Sequence, residues 1–172
     1  MRLLSHAVVY ACAVLVAACS PTYNWRELPM PGGQAVASFP CKPSRETRRV
    51  SLAGTAVEMT VLACSTDGVM FAIGTADVAD PALVGPALAA LQQAAVANVA
   101  GRAEPVPFSM AGATPHPQAG AWRVAGRMPD GRAVQEQVAV FSKGTRAYQL
   151  TMIAPALPPE PLQTFMSGIR WP

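Results

Sequence analysis

Cysteine is the residue type that gives this chain of 172 residues most scope for covalent chemistry, since a thiol can be acylated, oxidised or bound to a metal. Two of the four cysteines, Cys12 and Cys19, lie in the first twenty residues. That segment begins with Met1 and Arg2 and continues as an apolar run from Ala7 to Ala18. A charged start, an apolar run and small residues indicate a secretory signal, and the run is shorter than the roughly 20 residues of a membrane span.

The residues before Cys19 resemble the lipobox of bacterial lipoproteins, because Cys19 directly follows Ala17 and Ala18. The resemblance implies that residues 1–18 are a cleaved signal peptide and that Cys19 carries acyl chains, which make a long-lived membrane anchor. An ordinary cleaved signal is the alternative. Ser20, in place of aspartate, resembles the sorting pattern of proteobacterial outer-membrane lipoproteins. We therefore expect a protein of the bacterial cell envelope that faces the periplasm, with residues 19–24 as the lipidated N-terminus and tether.

Cys41 and Cys64 remain as an even pair, because Cys12 would leave with the signal and Cys19 would be capped. The envelope permits disulfides, and a bridge closing a loop of roughly 20 residues stabilises by about 3 kcal/mol in the chain-entropy model. Two buried free thiols are the alternative. A zinc site is disfavoured, because two thiols and one distant histidine do not supply four ligands. We predict a disulfide between Cys41 and Cys64, and no metal.

Catalytic groups are sparse in the rest of the chain. After residue 18 the only histidine is His116, in the Pro-rich segment 105–117, and the sequence places no nucleophile beside it. Asp67 and Asp130 precede glycines in turn signals, and Asp80 precedes a predicted helix, so each has a local backbone role. The methionines lack the clustering of a soft-metal site and are typical core residues. The sequence therefore predicts no enzymatic activity and no cofactor.

Composition limits the partners and the number of domains. Loss of Arg2 with the signal lowers the formal net charge from +3 to +2, so the chain lacks the basic field that nucleic-acid binding requires. Arg45, Arg48 and Arg49 lie close together, which is typical of a solvated strand edge or turn. The length of residues 25–172 predicts one domain that can bury a core of its own.

Turn signals between β-rich runs predict antiparallel hairpins, because glycine adopts the positive φ that tight turns need. In the run 133–141, Val134, Val138 and Val140 share one face with Glu136, whereas Phe141 lies on the other. Both sides of this strand should therefore be covered. The following run, 147–153, has a more one-sided pattern. The turn signals are Gly32-Gly33, Asp67-Gly68, Asp130-Gly131 and Lys143-Gly144.

Two helices are predicted. Asp80 and Pro81 are typical of a helix start, an apolar stripe of 3.6-residue period follows, and Gly101 is placed to end the helix. A second helix is predicted over residues 159–167. The order of strands, helix, strands and helix indicates an α+β fold, with an antiparallel meandering β-sheet and helices packed on it.

This succession of strands, glycine turns and helices over residues 24–172 resembles the Mog1/PsbP-like α/β sandwich found in small bacterial envelope lipoproteins. Cys41 and Cys64 are not part of the general pattern, and they indicate a disulfide-bearing sub-branch. The resemblance implies an adaptor or assembly module, although fold alone does not assign function. We therefore expect a non-enzymatic, membrane-anchored lipoprotein that binds or scaffolds an envelope protein partner. The alternative is a small-ligand-binding lipoprotein with an apolar pocket between sheet and helix.

Overall fold

The structure, a computed structural model, describes residues 22–33 and 35–172. The predictions of a signal peptide over residues 1–18 and of lipidation at Cys19 lie outside these residues. Among the described residues, no helix is long and apolar enough to cross a membrane.

Ten strands and two α-helices make up the described part of the chain. The first hairpin is formed by β1 (Arg26–Pro29) and β2 (Val36–Phe39). The strands β3 (Ser44–Leu52), β4 (Thr55–Thr66) and β5 (Val69–Asp77) follow. A short 3-10 turn, Pro81–Leu83, leads into helix α1 (Val84–Asn98). The remaining elements are β6 (Arg102–Val106), β7 (Gly120–Arg127), β8 (Ala133–Lys143), β9 (Arg146–Ala154), α2 (Pro159–Met166) and β10 (Ile169–Arg170).

Seven strands form one antiparallel sheet in the order β3-β4-β5-β9-β8-β7-β6, and three form a small sheet in the order β1-β2-β10. The predicted hairpins at Asp67-Gly68, Asp130-Gly131 and Lys143-Gly144 are all present. The expectation of mostly antiparallel sheet with helix packing is therefore confirmed. The first hairpin differs from it, because it pairs with the C-terminal β10 in a separate sheet.

The large sheet is covered on both faces. Helix α1 packs chiefly on β8 and β9, where Leu88 and Val138 are fully buried. The small sheet and α2 cover the opposite face, where Phe71 packs edge-on against Phe165. Tyr23 and Trp25 also pack against Phe71, so the folded part of the chain begins before β1. Each face buries its own apolar cluster, which holds the layers together.

Strands β8 and β9 have buried residues on both faces. The coverage of β8 was predicted from its alternation and is confirmed. The one-sided interpretation of β9 is wrong, because Ala147 and Thr151 are buried under α1 while Tyr148 is buried on the other side. Ala147 and Thr151 are small, so they form only a weak apolar pattern in the sequence. In the structure, small side chains allow a helix to approach the sheet closely.

The end of α1 departs from the prediction at Gly101. The helix stops at Asn98, and Ala100 rather than Gly101 takes the left-handed conformation, with φ 44°. The Gly101 N–H donates to the Val96 carbonyl, as in a Schellman ending. Glycine is needed at 101 for space, because a Cβ there would lie 2.4 Å from Val124 Cγ1.

Candidate functional site

The predicted disulfide is present and joins the two sheet layers. Cys41 follows β2 of the small sheet and Cys64 lies on β4, with Cα atoms 6.0 Å apart. The sequence separation is 23 residues. A bridge of this loop length restricts the unfolded chain by about 3 kcal/mol. Its place between the layers indicates a structural role, and it fixes the start of β3.

His116 lies against the first turn of α1, where a Cβ on Gly85 would come within 2.9 Å of His116 Cε1. Its Nδ1 accepts a hydrogen bond from the Gln118 N–H at 3.1 Å. The surface depression around it, of about 530 Å³, is lined by prolines, alanines, Gly85 and Gln118. No thiol, hydroxyl or carboxylate of the described residues lines this depression, so the geometry gives His116 no nucleophile to activate.

Asp80 and Asp130 have the local roles that the sequence indicated. The Asp80 side chain accepts from the Ala82 N–H at 2.9 Å and so caps the 3-10 turn. Asp130 accepts from the backbone and side chain of Arg132 in its turn. Within residues 22–33 and 35–172, no group of three His, Cys, Asp or Glu side chains is placed to hold a metal ion.

Glu136 is an ionisable side chain buried on the α1 face of the large sheet. It is 1 % exposed, and its Oε2 has no hydrogen-bond partner within the described chain. Val124 and Ile153 lie directly opposite it on the neighbouring strands. Burial among apolar groups raises the pKa of Glu136 to about 7. The sequence placed Glu136 on a valine face, but its isolation is visible only in the structure.

Strand β3 forms one edge of the large sheet. Residues 44–49 are all exposed. The β3–β4 turn has two residues of positive φ, Ala53 and Gly54, so it closes on the hydrogen-bonded pair Leu52–Thr55. Bonded and non-bonded pairs alternate along an antiparallel ladder, so every second residue of β3 points its N–H and C=O away from β4. These residues are Arg45, Thr47, Arg49 and Ser51.

An apolar groove of about 280 Å³ adjoins this edge on the face of the sheet that α1 covers elsewhere. Its floor consists of four half-buried apolar residues, because α1 packs chiefly on β8 and β9. Glu46 and Arg48 form an ion pair of 2.5 Å at its rim, with side chains 60 % and 76 % exposed. The floor residues are Val50, Met59, Val61 and Ala63.

The opposite face beside β3 carries a polar cleft of about 520 Å³. Arg45 and Arg49 line it near the edge, and Thr60 and Thr75 line it further in. At its inner end, the Arg146 guanidinium lies against the backbone of the first hairpin, where a Cβ on Gly32 would come within 2.8 Å of it. The Arg146 side chain therefore closes the inner end of the cleft, and the cleft opens toward the edge strand.

Asp77 holds the Arg146 side chain in place. Its carboxylate accepts from the Thr145 hydroxyl at 2.8 Å, from the Ala79 N–H at 3.0 Å and from Arg146 Nη2 at 3.2 Å. The Thr145 hydrogen bond, followed by the Ala79 N–H and the Arg146 charge, lowers the pKa of Asp77 below its usual value. The three contacts fix the β8–β9 turn and the end of β5 relative to one another, which is a structural role.

Together, the edge and its two flanking surfaces have the geometry of a strand-addition site. A strand that pairs with β3 would direct alternate side chains to the groove and to the cleft. The sequence predicts Arg45, Arg48 and Arg49 at a solvated strand edge or turn, but it does not predict the groove. The alternation of Val50 with Arg49 and of Val61 with Thr60 was the available signal. No protein-family model, curated protein sequence or solved structure matches this chain significantly.

Proposed function

We propose that this chain is a bacterial outer-membrane lipoprotein, anchored through acyl chains on Cys19, whose periplasmic α+β domain binds another envelope component as an adaptor or scaffold. Its role is binding without catalysis. We also propose that the domain belongs to the Mog1/PsbP-like sandwiches. In support, a long antiparallel sheet carries a helix on one face and a smaller layer on the other.

The observation that carries the binding function is the edge of β3, with which no other strand of residues 22–33 and 35–172 pairs, beside a half-exposed apolar groove. Natural edge strands are usually short, interrupted or covered, because a free edge pairs with other chains. The opposite edge of the sheet follows this rule, since β6 has five residues and contains Pro105. Strand β3 has nine residues without proline, so it keeps a long edge available.

The anchor is tested by mass spectrometry of the mature protein and by fractionation of cell membranes. We expect a mature N-terminal peptide that begins at acylated Cys19, and a protein that moves with outer-membrane markers. Cys19→Ser should abolish the acylation and release the chain from the membrane, whereas Cys12→Ser, in the cleaved signal, should leave both unchanged. A mature chain with unmodified Cys19 would rule out the anchor.

Partner binding is tested in living cells with a photo-crosslinking amino acid. This amino acid replaces, one at a time, exposed residues on different surfaces of the domain. Ser51 on β3 and Glu104 on β6 make a matched pair, because both are exposed residues of edge strands. We expect one envelope protein to be recovered repeatedly from the Ser51 position and not from Glu104. Recovery of no specific partner from any surface would contradict the adaptor function.

A small-ligand-binding role is the second candidate, and the apolar groove with its few polar rim groups favours it. The groove lies beside α1, whereas the space between sheet and helix is filled by Leu88, Leu91 and Val140. Native mass spectrometry of protein purified from cells distinguishes the two roles. A bound small molecule of constant mass would support this candidate over the adaptor.

A further inference from the structure

We infer that the edge of β3 binds an extended acidic segment of a partner protein, with its carboxylates on the cleft side and its apolar side chains on the groove side. This inference rests on the proposed partner-binding function and names the chemistry of the partner. Three features support it: the free backbone groups of β3, the different character of its two faces, and the charge of the arginines.

The backbone of β3 presents the N–H and C=O groups with which an additional strand would pair. The residues Arg45, Thr47, Arg49 and Ser51 point their N–H and C=O groups away from β4, in the spacing that a neighbouring strand needs. All four are exposed. Strand addition satisfies these groups pairwise and supplies affinity that does not depend on the partner's sequence.

The two faces beside the edge determine which partner sequence fits. Successive side chains of an added strand point to opposite faces of the sheet. On one face they would meet the apolar floor formed by Val61, Ala63 and their neighbours. On the other they would meet Arg45 and Arg49 at the mouth of the cleft. An alternation of apolar and acidic residues matches both surfaces at once.

The arginines on the cleft side are available to a ligand. Within the described chain, no carboxylate lies within 4.0 Å of Arg45 or Arg49, whereas Arg48 on the groove side is already paired with Glu46. Glu58 lies opposite Arg49 in the ladder without reaching that distance. Guanidinium groups recognise carboxylates by two parallel hydrogen bonds, so acidic side chains are the complement of the two arginines at the edge, whereas the carboxylates of Glu58 and Asp77 line the cleft further in.

The test measures binding of fluorescent nine-residue peptides to the purified full-length lipoprotein in detergent micelles. The probe alternates valine with glutamate. One control peptide has lysine in place of glutamate, and a second contains the same residues as separate valine and glutamate blocks. We expect the alternating acidic peptide to bind at least about tenfold tighter than either control, and its affinity to fall with added salt.

Two sets of variants distinguish the contribution of the β3 backbone to peptide binding from that of the arginine charges. Thr47→Pro removes one outward N–H, while Thr47→Val keeps that N–H and loses the same hydroxyl bond to Thr60. We expect the proline variant to bind the peptide about tenfold more weakly than the valine variant. Arg45→Gln together with Arg49→Gln should weaken binding about tenfold and flatten its salt dependence. Unfolding curves verify that each variant is folded.

Equal binding of the alternating and block peptides, or equal binding by the two Thr47 variants, would overturn the inference and leave the arginines as edge protection. That result is separable from failure of the proposed function. If photo-crosslinking still recovers one envelope partner from another surface, the adaptor function stands and only the β3 site is wrong. If no surface yields a partner, the adaptor function itself fails.

Discussion

Replacing Glu136 by glutamine should stabilise the protein more at pH 8 than at pH 4.5. Burial raises the pKa of Glu136 from an ordinary value of 4.5 in the unfolded chain to about 7 in the folded one. Between these values the folded chain holds a proton that the unfolded chain has lost, so the free energy of unfolding falls as pH rises through this window. The two pKa values differ by an amount equivalent to about 3 kcal/mol.

The size of this pH-dependent difference in stability follows from the surroundings of the Glu136 carboxyl group. Glu136 is 1 % exposed between Val124 and Ile153, and its Oε2 has no partner in residues 22–33 or 35–172. No salt bridge among these residues compensates the charged form, so ionisation carries a desolvation cost. The glutamine side chain in the variant stays neutral at every pH, so the variant should lose this dependence.

The assay is urea unfolding of both proteins, followed by tryptophan fluorescence, at several pH values from 4.5 to 8. We expect the difference in unfolding free energy between the variant and the parent to increase by about 3 kcal/mol across that range. Glu58→Gln, an exposed carboxylate on β4, controls for loss of one negative charge. A difference that is constant with pH would show that Glu136 is solvated or paired in solution, and would refute the reasoning.

Two further predictions concern the framework. Replacing Cys41 and Cys64 together by serine should lower the free energy of unfolding by about 3 kcal/mol, and a reductant should do the same to the parent protein in urea unfolding. Gly126→Ala would place a Cβ 2.3 Å from the Val99 carbonyl oxygen, so it should destabilise by about 1–3 kcal/mol in thermal unfolding. Ala125→Ser, at an exposed neighbour, should have little effect, and equal effects of the two substitutions would contradict the close approach.

The predictable part of the fold is the part that local chemistry determines. The Asp67-Gly68 and Lys143-Gly144 turns are fixed by residues that adopt positive φ, so their hairpins were found from sequence. The disulfide followed from counting thiols. By contrast, the pairing of β2 with β10 joins residues far apart in the chain, and β10 has two residues, too few for a periodic signal.

The candidate site was harder to predict, because an edge strand need not show the pattern of a buried one. Strand β3 has six exposed residues in succession, and its arginines lie on both faces. Such a segment reads as a loop or as a charged edge. The groove beside it depends on where α1 stops covering the sheet, which is set by long-range packing on β8 and β9.

Because β3 is polar, its sequence lacks a clear strand pattern. The same polar residues give the strand two faces of different character. A hydrophobic edge would be recognised easily but would pair with any exposed strand, including another copy of the same chain. In the site that we infer, Arg45 and Arg49 on one face and the apolar floor on the other would discourage pairing with a like-charged copy and favour an acidic segment, and so would select against wrong partners. Protection of the edge and recognition of a partner are therefore compatible roles of the same side chains. The opposite edge, β6, has only five residues and contains Pro105, features that disfavour strand addition whatever the charge of the partner.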